Sequence, residues 1–508
     1  MTEPAQPRPT HEGDPTAQPD PGSFRDPTNR VFLHEDRVLR GLDETAARDF
    51  ASLRASGFFA RAVEQRQLVA TELLDAPPAA LEQAGWAAVL EHERIPVVTY
   101  PYEWPFAMLR DAALLQLDLP LAALDEGLTT KDATPYNVQF VGARPTHIDL
   151  GSFERLSPGE PWFGYRQFCQ QFLYPLLLTA RRGVPHQPLL RGSVRGVTPQ
   201  TCAACLRWWD LARPSLFIHV ALQSLAERRK TDAGPDGHDV RAELKSAGYG
   251  PAVIRGQLRK LRKLVERLEW KQTRSVWSEY SDRQHYDPED LRAKEELVRR
   301  VAGERPRRQV LDLGANDGHF SRIALESAEY VVAVDHDPLV VDRLYRQLSE
   351  QGEERILPLV MDLADPSGGL GWRARERSPF VARVRPDLVL CLALVHHLAI
   401  SESIPLDEVV AFLAEFSSEV ILEFPTPEDP MVALLMAQKK DRAVPADRYG
   451  VDALERALAT RFDTRLRTER GTRLLYDLVP RGRGQPIEVH ATASAQPVPD
   501  GETRPSGP

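Results

Sequence analysis

Cysteine is scarce in this chain: four in 508 residues, at Cys169, Cys202, Cys205 and Cys391. So few in so long a chain exclude a disulfide framework and fit a reducing, cytoplasmic compartment. Cys202-Ala-Ala-Cys205 has no second pair to complete a zinc or redox site, which leaves a pair buried on a helix as the expectation. Long apolar runs are missing as well. No window approaches ~18 uninterrupted apolar residues, so no transmembrane helix and no membrane partner are expected. The first residues, Met1-Thr-Glu-Pro-Ala-Gln-Pro7, lack the basic and apolar regions of a signal peptide. Positive charge is not in excess: 64 Lys and Arg face 73 Asp and Glu, a formal net charge of −9. That balance gives no general pull toward nucleic acid or an anionic surface. Lysine is absent altogether before Lys131.

What is present is an ordinary globular mixture, 42% hydrophobic and 27% charged, in a chain long enough for two or three domains. Residues 1–29 and 484–508 are rich in Pro, Asp, Thr and Gly and read as disordered tails. Residues 30–250 alternate helical patterns with short strand-like runs such as Ile95-Pro-Val-Val-Thr-Tyr100. Residues 251–304 read as a helical linker. It opens on a basic helix, 251–271, with Leu258, Leu261, Val265 and Leu268 at helical spacing among Arg259, Lys260, Arg262, Lys263 and Arg267. From 305 to 483 apolar strand candidates at 309–313, 330–335, 355–361, 386–392 and 418–424 alternate with helical patterns. That alternation predicts an α/β domain with a doubly wound, mostly parallel sheet.

One stretch of that domain carries chemistry. Val310-Leu-Asp-Leu-Gly-Ala-Asn-Asp-Gly318 is a buried strand running into a glycine turn and a helix start. A second apolar strand, Tyr330-Val-Val-Ala-Val-Asp335, ends in a carboxylate. A βαβ unit of this kind binds a nucleoside cofactor. A dinucleotide site wants Gly-x-Gly-x-x-Gly, whereas this turn is Gly314-Ala315-Asn316-Asp317-Gly318. The spacing favours S-adenosylmethionine. Gly314 lets the backbone turn, and Gly318 allows a close approach. The helix that follows points its amides toward the methionine carboxylate. Asp312 and Asn316 line the methionine side. Asp335 is placed to accept hydrogen bonds from both ribose hydroxyls. Asp362, after the run Ile356-Leu-Pro-Leu-Val-Met361, is placed to accept from the adenine amino group.

These residues also carry a family resemblance. Leu311–Ser321 resembles motif I of class I S-adenosylmethionine-dependent methyltransferases, Val334-Asp335 the motif II acid, and Pro386–Leu398 motif IV in a variant ending His-His-Leu. The chain from about 30 to 470 resembles a group of bacterial nodulation-protein-like methyltransferases. The phrases that carry this are Lys131-Asp-Ala-Thr-Pro-Tyr-Asn-Val-Gln-Phe140, Asp365-Pro-Ser367, Gly371-Trp372 and Glu376-Arg377. The resemblance implies a Rossmann-like methyltransferase domain.

The acceptor of a methyl group would bind outside the carboxyl ends of the strands. There the run Leu388–Leu394 ends in Val395-His396-His397. His397 first, and His396 second, is the candidate general base for a hydroxyl or amine. Adjacent histidines point apart and no Cys or acid pattern accompanies them, so no metal site is expected. The absence of Asn/Asp-Pro-Pro-Tyr counts against methylation of a base amine. Glu423, at the tip of the next strand, would polarise an acceptor or stay solvated; Asp429 has a weaker case. A small-molecule acceptor is expected, with RNA, gripped by the basic helix, or a non-catalytic ligand-binding scaffold as the alternatives.

In the first domain, Asp132-Ala-Thr-Pro-Tyr-Asn137 is followed by His147-Ile-Asp-Leu-Gly151. The order resembles a kinase catalytic loop and its Asp-x-Gly site, in which Asp132 would be the base and Asn137 and Asp149 would hold magnesium. No lysine stands upstream to pair with phosphates, and no Gly-x-Gly-x-x-Gly loop precedes it. An α+β kinase-like remnant, used to hold structure or substrate, is therefore expected. Trp208-Trp209 and the aromatics of Tyr100–Trp104 are expected in the core.

Overall fold

The computed structural model describes residues 17–157, 159–225, 227, 250–272, 288–439 and 448–482. The expected tail at 484–508 lies outside the described residues. So do residues 1–16, but 17–29 do not behave as a tail. Strand β1 (Gln18–Pro19) pairs with β2 (Asn29–His34), and Asp20 and Asp26 close the turn between them through the amides of Gly22 and Thr28. Short Asp side chains satisfy backbone donors here, so a segment poor in apolar residues still folds.

β2 continues into β3 (Arg37–Leu42), and β4 (Thr71–Leu73) and β5 (Ala88–His92) complete an antiparallel sheet in the order β1-β2-β3-β5-β4. Ile95–Tyr100 is not a strand. Pro96 removes a ladder donor, and the Thr99 amide is satisfied instead by the Gln139 side chain at 2.7 Å. The helix Phe106–Ala123 follows, buried on most sides. β6 (Leu128–Thr130) pairs with β9 (Phe153–Arg155), while β7 (Val138–Val141) and β8 (Arg144–His147) form a hairpin between them. Loops 131–137 and 148–152 therefore lie side by side at the mouth of the first sheet.

The basic helix forms as Pro251–Glu266 and packs Ile254, Leu258, Leu261 and Val265 inward. Its cations are partly engaged: Arg262 pairs with Asp118 at 2.5 Å and Arg255 with Asp125 at 2.7 Å. Two core expectations differ from the structure. Trp208 and Trp209 are 76% and 48% exposed, and Cys205 is exposed although Cys202 is buried. The helices there are only one or two turns long, and one side of each meets solvent. No helix among the described residues is long and apolar enough to cross a membrane.

In the second half, β10 (Arg307–Leu313), β11 (Ala328–Asp335), β12 (Ile356–Val360), β13 (Leu388–Cys391) and β14 (Glu419–Pro425) are parallel. β15 (Phe462–Arg470) and β16 (Arg473–Pro480) add an antiparallel edge, giving the order β12-β11-β10-β13-β14-β16-β15. The central residues of the parallel strands are largely apolar and buried, as strands covered on both faces must be, with polar residues chiefly toward their ends. The last two strands escaped the sequence reading because β15 is mostly polar and exposed. The chain leaves β10 toward β11 and β12 and then crosses back to β13. The crevice between β10 and β13 is therefore the switch point where an open α/β sheet binds its ligand.

Candidate functional site

The bend after β10 is built by backbone geometry. Gly314 and Gly318 sit at φ +76° and +75°, a left-handed region that glycine adopts without cost. Gly318 has a second reason: a Cβ there would lie 2.8 Å from Leu344 Cδ1, on the helix Pro338–Gln351. The close approach expected at Gly318 is thus to a neighbouring helix. Asn316 also takes positive φ, at +48°. The amides of Gly314 and Ala315 both donate to the Val334 carbonyl at 2.9 Å, which ties the bend to the end of β11.

Asp335, at the tip of β11, accepts from the Asn316 amide through Oδ2 and from the Asp337 amide through Oδ1, each at 3.0 Å. Oδ1 also lies 3.4 Å from His336 Nδ1, and the carboxylate raises that imidazole. Asn316 Oδ1 is buried with no hydrogen-bond partner. An orphaned acceptor next to an oriented carboxylate fits a polar ligand that brings its own donors. Asp312 is buried and accepts from Ser321 Oγ at 2.6 Å. Burial pushes its carboxyl up to about 7, against the Ser321 hydrogen bond and with a smaller upward push from Asp335. Asp362 is exposed just past β12 and accepts from the Ala364 amide at 2.9 Å. The acids and the bend therefore gather around one crevice.

His396 and His397 lie beyond β13, with ring centroids 4.0 Å apart. Burial pushes both imidazoles down, His397 to about 4 and His396 to about 2. His336 lowers His397 further, while Asp335 raises it, which places His397 toward the acid at the tip of β11. His396 Nδ1 is buried without a partner. Lowered this far, both rings favour the neutral form near pH 7, in which one ring nitrogen is an acceptor. A histidine that is neutral in the fold but protonates in the unfolded chain adds stability above pH ~6.5 that is lost as pH falls toward its folded value. Urea unfolding at about pH 7.5 and about pH 5 should show this. His396→Leu is expected to shrink the acid loss by about 2 kcal/mol.

Glu423 is neither solvated nor available to an acceptor. It is fully buried, accepts from Lys294 Nζ through both oxygens at 2.9 Å, and accepts from Arg473 Nη1 at 2.8 Å. Burial alone would raise its carboxyl, but Lys294 and Arg473 hold it below the usual carboxylate range. Asp429 caps the helix Pro430–Gln438 and accepts from Arg473 Nε at 3.0 Å. The sequence reading missed Lys294 and Arg473. A signal for the first existed: on the helix Pro288–Gly303, Lys294 takes an inward position one turn from Leu297 and Val298. Arg473 is set only by the pairing of β16 with Pro425.

In the first half, Arg40 of β3 donates to Asp149 Oδ1 and to Asn29 Oδ1, both at 2.7 Å. Asn137 Nδ2 donates to Asp149 Oδ2 at 3.3 Å. Burial, with Asp149 second, raises the Asp132 carboxyl. The three expected residues do converge, and an arginine on β3 stands beside them. No group of three or more His, Cys, Asp or Glu suited to a metal ion occurs among the described residues.

No family model matches the chain. Nodulation protein NoeA of Rhizobium meliloti (strain 1021) is 38% identical over 427 residues, which is 83% of this chain and 87% of that protein. Among solved structures, the N-methyltransferase NodS from Bradyrhizobium japonicum WM9, in complex with S-adenosyl-L-homocysteine, is 10% identical with a TM-score of 0.29. It is matched over 92% of its own length and 40% of this chain. The magnesium protoporphyrin IX methyltransferase ChlM from Synechocystis PCC 6803, with bound S-adenosylmethionine, is 18% identical with a TM-score of 0.27, over 92% of its length and 40% of this chain.

Proposed function

The chain belongs to the family of nodulation protein NoeA, and on that premise we propose that it is an S-adenosylmethionine-dependent methyltransferase. Its acceptor is a hydroxyl or amine of a small metabolite or natural product. The observation that carries this reading is the bend Gly314–Gly318 at the switch point, which presents the orphaned Asn316 Oδ1 beside Asp335. When bound, the cofactor supplies an activated methyl on a sulfonium with a good leaving group. The chain supplies the grip and the alignment. Asp335 holds the ribose hydroxyls, Asp362 the adenine amino group, and Asp312, Gly314, Ala315, Asn316 and Gly318 surround the methionine end. His397, supported by His396, accepts the acceptor's proton-bearing O–H or N–H as a hydrogen bond. Glu423 acts from behind: its pairs with Lys294 and Arg473 brace the end of β14 beside the acceptor's place.

Titration calorimetry of the full chain with S-adenosylmethionine tests the reading. Saturable binding is expected; no heat and no retained label at high cofactor concentration would end it. RNA is the weaker alternative, since Arg255 and Arg262 of the basic helix already pair with acids.

The first half fits a kinase-like unit that holds structure rather than transferring phosphate. Asp149, which would be needed for magnesium, is instead bonded to Arg40 and Asn137. ATP with magnesium is accordingly expected to give no heat and no rise in melting temperature with the wild-type chain. A rise of several degrees that depends on Asp149 would overturn this.

A further inference from the structure

The connection from β12 to β13 is long and is held by the other half of the molecule. At its start, Arg191 donates to both oxygens of Asp365, at 2.8 and 2.9 Å, and to the backbone carbonyls of Asp365 and Pro366. At its middle, Leu370 and Arg377 exchange backbone hydrogen bonds across a tight hairpin. That hairpin is strained, with Arg373 at φ +57° and Ala374 at φ +53°. Such residues persist only where the surroundings fix them.

The first half does the fixing. Glu376 is almost fully buried and takes a bidentate pair from Arg25, at 2.6 and 2.7 Å. Its Oε2 also accepts from the Trp372 amide at 2.9 Å. The Arg377 guanidinium stacks 4.1 Å from the Tyr136 ring centroid, in the loop between β6 and β7. A Cβ on Gly22 would lie 2.9 Å from the Glu376 carbonyl and 3.1 Å from Arg377 Nη1. Residues 376–377 therefore fill the space between the β1–β2 turn and the loop 131–137. Past the hairpin, the Ser378 amide donates to Tyr100 Oη at 2.9 Å, and Arg383 pairs with the buried Glu103.

We propose that the first half is a clamp on this connection, which forms the adenine-side wall of the cofactor pocket, and that Arg25 and Arg191 are positioning residues for cofactor binding. This rests on the methyltransferase reading above. Asp362 stands three residues before Asp365, so releasing Asp365 frees the adenine-side acid. The Arg191–Asp365 pair is partly exposed on both sides and adds little to overall stability, while the buried Glu376 keeps the Trp372 amide and Arg377 as partners when the exposed Arg25 is removed. The effect of both arginines should fall on the order of the loop.

The test uses calorimetry with S-adenosyl-L-homocysteine on the wild type, the double variant Arg25→Ala with Arg191→Ala, and the double variant with Lys at both positions. Hydrogen exchange of residues 365–378 and melting temperature are read on each. The clamp predicts that the alanine pair raises Kd by roughly tenfold, speeds exchange in 365–378 and shifts melting by no more than a few degrees. The lysine pair, which keeps the charges but not the bidentate geometry, should recover part of the affinity. An unchanged Kd in the alanine pair overturns the clamp. So does a rise in Kd matched by a general loss of structure that the single variant Arg191→Ala does not separate. Failure of the wild type to bind overturns the methyltransferase reading itself, and the clamp falls with it; the two failures appear in different proteins.

Discussion

Asp335→Ala is expected to weaken S-adenosylmethionine binding by roughly two to four orders of magnitude, with little change in folding. Two charge-assisted hydrogen bonds to ribose hydroxyls are worth roughly 1.5–3 kcal/mol each, and each 1.4 kcal/mol is about tenfold in Kd. The carboxylate also orients the bend, because it accepts from the Asn316 amide. Loss of that contact should add to the effect on binding. Asp335→Asn separates the two roles. It keeps one acceptor for the bend but loses the second acceptor and the charge, so an intermediate loss is expected. Asp362→Ala, at an exposed acid with one local hydrogen bond, should cost less, about tenfold. If Asp335→Ala binds as tightly as the wild type, the tip of β11 is not the ribose site.

The second large effect is on stability. Lys294→Ala is expected to cost about 3–5 kcal/mol, measured by urea unfolding. The ammonium and the Glu423 carboxylate are 4% and 0% exposed, and both carboxylate oxygens accept from it. Removing the cation leaves a buried anion with Arg473 alone, and Arg473 is shared with Asp429. The cost comes from the charge left behind rather than from the value of the pair. The double variant Lys294→Met with Glu423→Leu should therefore recover most of the loss. Arg473 would retain Asp429. Equal loss in the single and double variants would show that packing, and not charge pairing, holds this corner.

The parallel strands and the cofactor bend were legible because they are local. Val310 to Leu313 and Tyr330 to Val334 are apolar runs of strand length, and a glycine at positive φ leaves a mark in sequence that no other residue leaves. The acid at the end of a strand could be placed because strand direction fixes where its tip lies. The antiparallel edge was not legible: β15 is a polar strand whose partner is the only reason it forms. Glu423 was misread for a related cause. A strand tip reads as a solvent position until a helix from 130 residues earlier in the chain covers it with Lys294.

Local sequence by itself determined the β10–β11 unit and the bend at Gly314–Gly318, and it placed Asp312, Asp335 and Asp362 in or at the ends of three successive apolar strands, since each position follows from the run of residues around it. Tertiary structure alone decided that Arg40 stands beside Asp149, that Glu423 is buried against Lys294 and Arg473 and that Arg377 stacks on Tyr136. Those facts join residues far apart in the chain. Their energies come from burial and pairing of charge, which no local pattern of residues encodes.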